Sequence, residues 1–169
     1  MAKKVKRTIK KGHHRPYFQF TKPVFNPFLE RGYFFTENCW WWFNDPDKDG
    51  DWSKLMGFVP GFRIHNESYR FGMRPTKDGQ LEFAPYIYQN GKRLLDLPTK
   101  KLSLKKYIKF NISDLEDKIY FYIDDIILYS IPKIKKHTLK FSTNIYIGGG
   151  TRSGKDWTAP HDITIYELK

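Results

Sequence analysis

From Tyr33 onward, apolar and polar positions alternate with period two far more often than with the 3.6-residue period of a helix. Residues 68–74 show this most clearly, with Tyr69, Phe71 and Met73 on one face and Arg70, Gly72 and Arg74 on the other. Leu81, Phe83, Tyr86 and Tyr88 lead into Asn90-Gly91, and a second run follows over 92–97. Asn-Gly favours the positive φ values of a type I′ turn, so a hairpin is predicted there. Further strands are predicted over 54–58, 107–112, 118–123, 126–131, 139–147 and 163–168, with short aromatic runs at 34–36 and 39–43. The run 118–123 is apolar on both faces, which predicts a strand buried between layers, and Asp124-Asp125 supplies the turn before Ile126. No window of 12 or more residues carries a helical stripe; the best, 112–119, is interrupted by Asp114, Glu116 and Asp117. Strands in this number and spacing predict an all-β fold, a two-sheet antiparallel jelly-roll sandwich.

Charge divides the chain. Residues 1–17 carry Lys3, Lys4, Lys6, Arg7, Lys10, Lys11 and Arg15 and no acid, which is +7 of the formal +12. The other 23 basic and 18 acidic residues leave the body only +5. Three parts are therefore expected: a basic, flexible N-terminal arm over 1–17, an extended lead-in over 18–32, and a sandwich over 33–169. Pro23 and Pro27 break any helix in the lead-in, and Phe18, Phe20, Phe25 and Phe28 pin it to the body. Cys39 is the single cysteine, so no internal disulfide forms, and its aromatic surroundings make it a small buried residue. The arm lacks the apolar stretch of a secretory signal, and 18 apolar residues nowhere run together.

Candidate chemistry comes from a few short patterns. Asp45, Asp47, Asp49 and Asp51, with Gly50 between the last two, match the first half of an EF-hand calcium loop, so calcium is a candidate ligand. The match stops at Met56, where a bidentate carboxylate belongs, and the competing expectation is a solvated acidic turn. Trp40, Trp41 and Trp42 are read mainly as core, with two inside and one partly exposed. Trp52 and Trp157 lie next to predicted loops and are the candidate glycan contacts, because exposed indoles stack on sugar faces. Residues 148–155 have the glycines of a phosphate loop, but Asp156 stands where Ser or Thr belongs and Pro160 forbids the following helix. The five histidines are scattered and spell neither a zinc site nor a Ser/His/Asp arrangement.

The stretch 118–131, KIYFYIDDIILYSI, resembles the hairpin of laminin-G and concanavalin A-like sandwiches. The blocks at 51–55, 68–72 and 158–163 are similar to jelly-roll proteins of Bacteroidota and of the crAss-like phages that infect them. That class holds lectins, glycosidases and virion domains, so the fold alone does not select among them. Its glucanases carry Glu-x-Asp-x-x-Glu on one strand, and this chain has no such spacing; Glu67 and Glu82 stand alone. The sequence therefore favours a non-enzymatic virion protein, an auxiliary or decoration capsid protein. It would dock through its arm on capsid protein or packaged nucleic acid, in a particle assembled in the host cytoplasm. The alternative is a carbohydrate-binding, lectin-like module.

Overall fold

The structure is a computed structural model that describes residues 4–17, 21–150 and 156–168. Fourteen strands follow in order: β1 (Lys4–Ile9), β2 (Phe28–Phe35), β3 (Ser53–Pro60), β4 (Ser68–Pro75), β5 (Leu81–Gln89), β6 (Lys92–Arg93), β7 (Lys100–Leu102), β8 (Tyr107–Leu115), β9 (Lys118–Ile123), β10 (Ile126–Pro132), β11 (Lys140–Thr143), β12 (Gly149–Gly150), β13 (Asp156–Trp157) and β14 (Ile163–Leu168). The first sheet runs β1-β14-β2-β8-β9-β10 and the second β11-β3-β4-β5-β6, with β7 also paired to β5. All of these pairings are antiparallel. The result is the two-sheet jelly-roll sandwich that the alternation predicts.

The inward positions of the two sheets meet in a core rich in rings. Phe35 and Phe110 from the first sheet pack on Phe71 and Phe83 from the second, with centroids 5.0–5.3 Å apart. Each such pair adds about 0.5–1.5 kcal/mol beyond the area it buries. In β9, Ile119, Phe121 and Ile123 face the core while Tyr120 and Tyr122 remain half-exposed, so this strand is buried on one face and not on both. The tight turns fall where the sequence places them, with positive φ at Asn90 and Gly91 and at Asp124 and Asp125.

Residues 4–9 are a correction to the arm. They form β1, in register from Lys4 opposite Leu168 to Ile9 opposite Ile163. Ile9 is fully buried, Arg7 Nε bonds Glu167 at 3.1 Å, and the Lys4 ammonium sits 4.3 Å from the Tyr166 ring centroid. Lys10 pairs with Asp162 at 2.6 Å, and the same carboxylate accepts from the Lys11 backbone N–H. Three of the arm's charges, those of Lys4, Arg7 and Lys10, thus face this chain's own acids and rings. Lys3, Phe18, Phe20 and residues 151–155 lie outside the described residues.

The aromatic run 39–43 is not a strand. A 3₁₀ turn over Glu37–Cys39 leads into irregular chain, with Trp41 in the core and Trp40 and Trp42 half-exposed. Cys39 is buried there, which pushes its thiol up to about 11. The strand expected over 139–147 ends at Thr143, and Tyr146 instead bridges Lys54 of β3.

At one end of the core lies an ionic cluster that no local pattern announces. The His137 side chain is fully buried, with Nε2 2.8 Å from Glu67 and Nδ1 3.1 Å from Asp114. The ring thus bridges the two carboxylates. Lys140 and Lys133 complete the shell of Asp114 at 2.8 and 3.0 Å. Burial pushes the Asp114 carboxyl up, but the hydrogen bonds from His137, Lys140 and Lys133 outweigh it and hold the group well below the usual carboxylate range. The cluster ties the first sheet (Asp114) to the second (Lys140) and to the loop carrying His137.

Candidate functional site

The outer face of the second sheet carries the chemistry. Alternation along β4 turns Tyr69, Phe71 and Met73 inward and sends Arg70, Gly72 and Arg74 outward. Register then builds rows across the strands. Arg70 stands between Gly57 of β3 and Tyr86 of β5, Gly72 between Lys54 and Ala84, and Arg74 beside Glu82. One strand further on, Arg93 of β6 pairs with Tyr88.

Of these, Lys54, Arg70, Tyr86, Tyr88 and Arg93 line a cleft of about 580 Å³, together with Tyr146 and Arg15 of the N-terminal segment. The Tyr86 ring lies 4.7 Å from the guanidinium of Arg70 and 4.7 Å from that of Arg93. The Lys54 ammonium is 5.0 Å from the centroid of Tyr86 and 5.7 Å from that of Tyr146. Arg70 is 5% exposed, yet its Nε and Nη2 have no hydrogen-bond partner among the described residues. Both nitrogens are themselves shut off from solvent at the base of the cleft, and buried polar groups of this kind are normally satisfied, which makes Arg70 a candidate anion seat. Gly57 makes this seat possible: φ there is +157°, and a Cβ would stand 2.5 Å from the Arg70 Cα.

Electrostatics set the protonation of the cleft. Burial lowers the Lys54 amine to about 8, with the charges of Arg70 and Arg93 adding to the shift and Asp51 opposing it. Burial raises the Tyr86 hydroxyl to about 12 against the pull of Arg93, so it keeps its proton. Asp51 is the only carboxylate among the described residues lining the cleft, and its Oδ2 accepts from the Trp157 indole N–H at 3.1 Å. Residues 151–155 read Thr-Arg-Ser-Gly-Lys, so they bring no acid. Beside this cleft is a second one of about 470 Å³ on the same face, around Arg74, Glu82 and Trp42. Of its three carboxylates, Glu82 is engaged by Arg74 at 2.7 Å and by the Thr99 hydroxyl at 2.7 Å, and Asp45 and Asp49 accept from backbone N–H groups.

The residues expected to form sites fare unevenly. Pro46 opens a single helical turn, Pro46–Asp49, and this redirects the acidic run from a calcium loop to capping. Asp45 accepts from the Asp47 N–H, while buried Asp49 accepts from the N–H groups of Phe43 and Asp45. Asp47 is exposed, and Asp51 faces Trp157. Among the described residues no group of three or more His, Cys, Asp or Glu side chains is placed to hold a metal. Trp157 is 5% exposed and packs on Trp41 and Phe43, so it is a core residue and not a glycan platform. Trp52 does sit on the working face, half-buried over Gly72 and 4.4 Å from the Arg74 guanidinium. Of the basic arm, Arg15 alone lines the cleft. Lys54, Tyr86, Tyr88 and Arg93 escaped sequence reasoning. The alternation that put Arg70 and Arg74 on one face was the available signal.

This architecture is a jelly-roll sandwich of the concanavalin A-like type, and solved structures share it. An alginate lyase superposes with a TM-score of 0.63 over 98% of this chain and 78% of its own, at 13% identity. A laminarinase from Flavobacterium sp. UMI-01 gives a TM-score of 0.57 over 98% of this chain and 77% of its own, at 14% identity. The laminarinase catalytic domain from Thermotoga maritima gives 0.56 over 96% and 74%, at 10% identity. No protein-family model and no curated protein matches the sequence. The expectation of a non-enzymatic capsid protein docking through a free arm is thereby corrected. The arm's strand is part of the first sheet, and these three structures of the same fold are carbohydrate-active enzymes.

Proposed function

We propose that the chain cleaves an acidic polysaccharide, a polyuronate, by β-elimination in the cleft of Lys54, Arg70, Tyr86 and Arg93. The observation that carries this reading is an amine lowered to about 8 beside a buried, unpaired guanidinium. A uronate resists loss of its C5 proton because its carboxylate is already negative. Charge-assisted hydrogen bonds from Arg70, with Arg93 nearby, offset that charge and stabilise the enolate-like state that builds up as the proton leaves. Neutral Lys54 takes the C5 proton; the C5–H electron pair forms the C4–C5 double bond as the C4–O bond breaks. The departing oxygen keeps the C4–O bonding pair and receives the proton back from the Lys54 ammonium, which restores the free amine.

The competing chemistry, hydrolysis, uses two carboxylates flanking the bond. The described lining residues hold one, and it is occupied by Trp157. A solved alginate lyase of this fold in complex with an alginate tetrasaccharide adds support for an acidic polymer. The direct test is a panel of polyuronates (alginate, polygalacturonate, glucuronan) beside neutral β-glucans, followed by mass spectrometry of the products. An unsaturated non-reducing end, one water lighter than the hydrolytic product, is expected from a polyuronate. Hydrolytic products, or cleavage of neutral glucans alone, would overturn the reading.

A further inference from the structure

We infer that the cleft seats two successive carboxylates, one on Arg70 and Arg93 and the next on Arg15, so that its substrate carries an acid on adjacent sugars. The inference rests on the polyuronate reading above and deepens it. After β1, the N-terminal segment is laced to the rim of the cleft by backbone hydrogen bonds. Gly12 donates to Ala159 at 2.9 Å, Ala159 to His13 at 3.1 Å and Ile147 to His14 at 2.7 Å. The His14 ring stacks on Tyr146, with centroids 4.6 Å apart and planes 8° from parallel, and its Nδ1 lies 2.8 Å from the Ile147 carbonyl. This anchoring fixes the residue that follows. Arg15 is exposed, lines the cleft, and pairs with no carboxylate among the described residues. It is near enough to Tyr146 to oppose the upward push of burial on that hydroxyl.

The cations therefore lie on two sides of the reacting amine. Arg70 and Arg93 crowd the Tyr86 side, Arg15 stands on the Tyr146 side, and Lys54 lies between the two rings. Among the described residues, Arg15, Arg70 and Arg93 line the cleft against one carboxylate, Asp51, whose Oδ2 is engaged by Trp157. Arginines on both sides of the amine leave a place for an anion on each side. A polymer with one acid per sugar supplies both at neighbouring positions, whereas one with acids on alternate sugars leaves Arg15 facing a neutral ring.

The test is calorimetric titration of the full chain and of Arg15→Ala, Arg15→Lys and Arg70→Ala. The ligands are tetrasaccharides of alginate, polygalacturonate and glucuronan, and a hyaluronan tetrasaccharide, whose carboxylates fall on alternate sugars. For the homopolymer bound best, Arg15→Ala is expected to lose about tenfold in affinity, the scale of one charge-assisted hydrogen bond at a partly wet site. Arg15→Lys should recover part of it, and the hyaluronan tetrasaccharide should not distinguish Arg15→Ala from the parent. Unchanged homopolymer affinity in Arg15→Ala, or an equal loss on both ligand types, would overturn the second seat. If Arg70→Ala still loses affinity in that case, the reading of the cleft survives alone. A parent protein that binds none of these tetrasaccharides would sink both.

Discussion

Lys54→Met is the sharpest probe of the cleft, because it keeps length and apolar bulk while removing the amine. At pH 7 a lysine titrating at about 8 is roughly one-tenth neutral, against about 0.03% for one at its ordinary value near 10.5. The buried site thus offers about 300 times more free base at neutral pH than an exposed lysine would. A positioned general base is worth about 10²–10⁴ in rate, and Lys54 also returns the proton, so a loss at the upper end of that range is expected. The assay is the ultraviolet absorbance of the conjugated unsaturated product, followed across pH on whichever polyuronate the panel identifies. In the parent, kcat should rise about tenfold per pH unit below 8 and level off above it, since the active form is the deprotonated amine. Asp51→Asn removes the charge that opposes the shift and should move that limb to lower pH. A flat profile through pH 7–9, or a Lys54→Met variant within tenfold of the parent rate, would refute the assignment of the base.

Two predictions concern stability. Asp114→Asn leaves His137, Lys133 and Lys140 around a neutral amide and should cost about 3–5 kcal/mol in urea unfolding, the scale for one partner lost from a buried ionic set. Because the folded Asp114 lies below its ordinary value, its contribution is complete above about pH 4 and is lost as pH falls from there toward the folded value. The variant should therefore show a weaker acid limb in its melting temperature, and an unchanged limb would remove Asp114 as its source. Deletion of residues 1–11 takes away β1, uncovers the edge of β14 and strips Ile9 from the core. The loss should be at least about 3 kcal/mol, from one buried Ile and the Arg7–Glu167 pair. A truncated protein that melts with the full chain would return these residues to the status of a free arm.

The strands with strict alternation were legible in the sequence because a period of two is a local property. Residues 68–74 declared both faces of β4, and Asn90-Gly91 and Asp124-Asp125 marked their turns through the few residue types that accept positive φ. The failures share one cause. β1 also alternates, with Val5, Arg7 and Ile9 on one side and Lys4, Lys6 and Thr8 on the other, but its charge density masks the pattern. Only a partner more than 150 residues away makes it a strand. The run 39–43 reads as strand by composition, yet the core takes only Cys39 and Trp41 from it. The spacing of 45–51 allowed a solvated acidic turn or a calcium loop, and only the folded chain shows Asp45 and Asp49 accepting from the backbone donors of Asp47, Phe43 and Asp45 around the turn that Pro46 opens.

By itself, then, the sequence determined the class of fold and the facing of Arg70 and Arg74, because side-chain direction along a strand follows from backbone geometry alone. The cleft was decided by tertiary structure. Lys54, Arg70, Tyr86 and Arg93 come from four strands and meet only through register, a property of pairing between strands. The lowered amine of Lys54 follows from burial and from neighbouring guanidiniums, which no single segment carries.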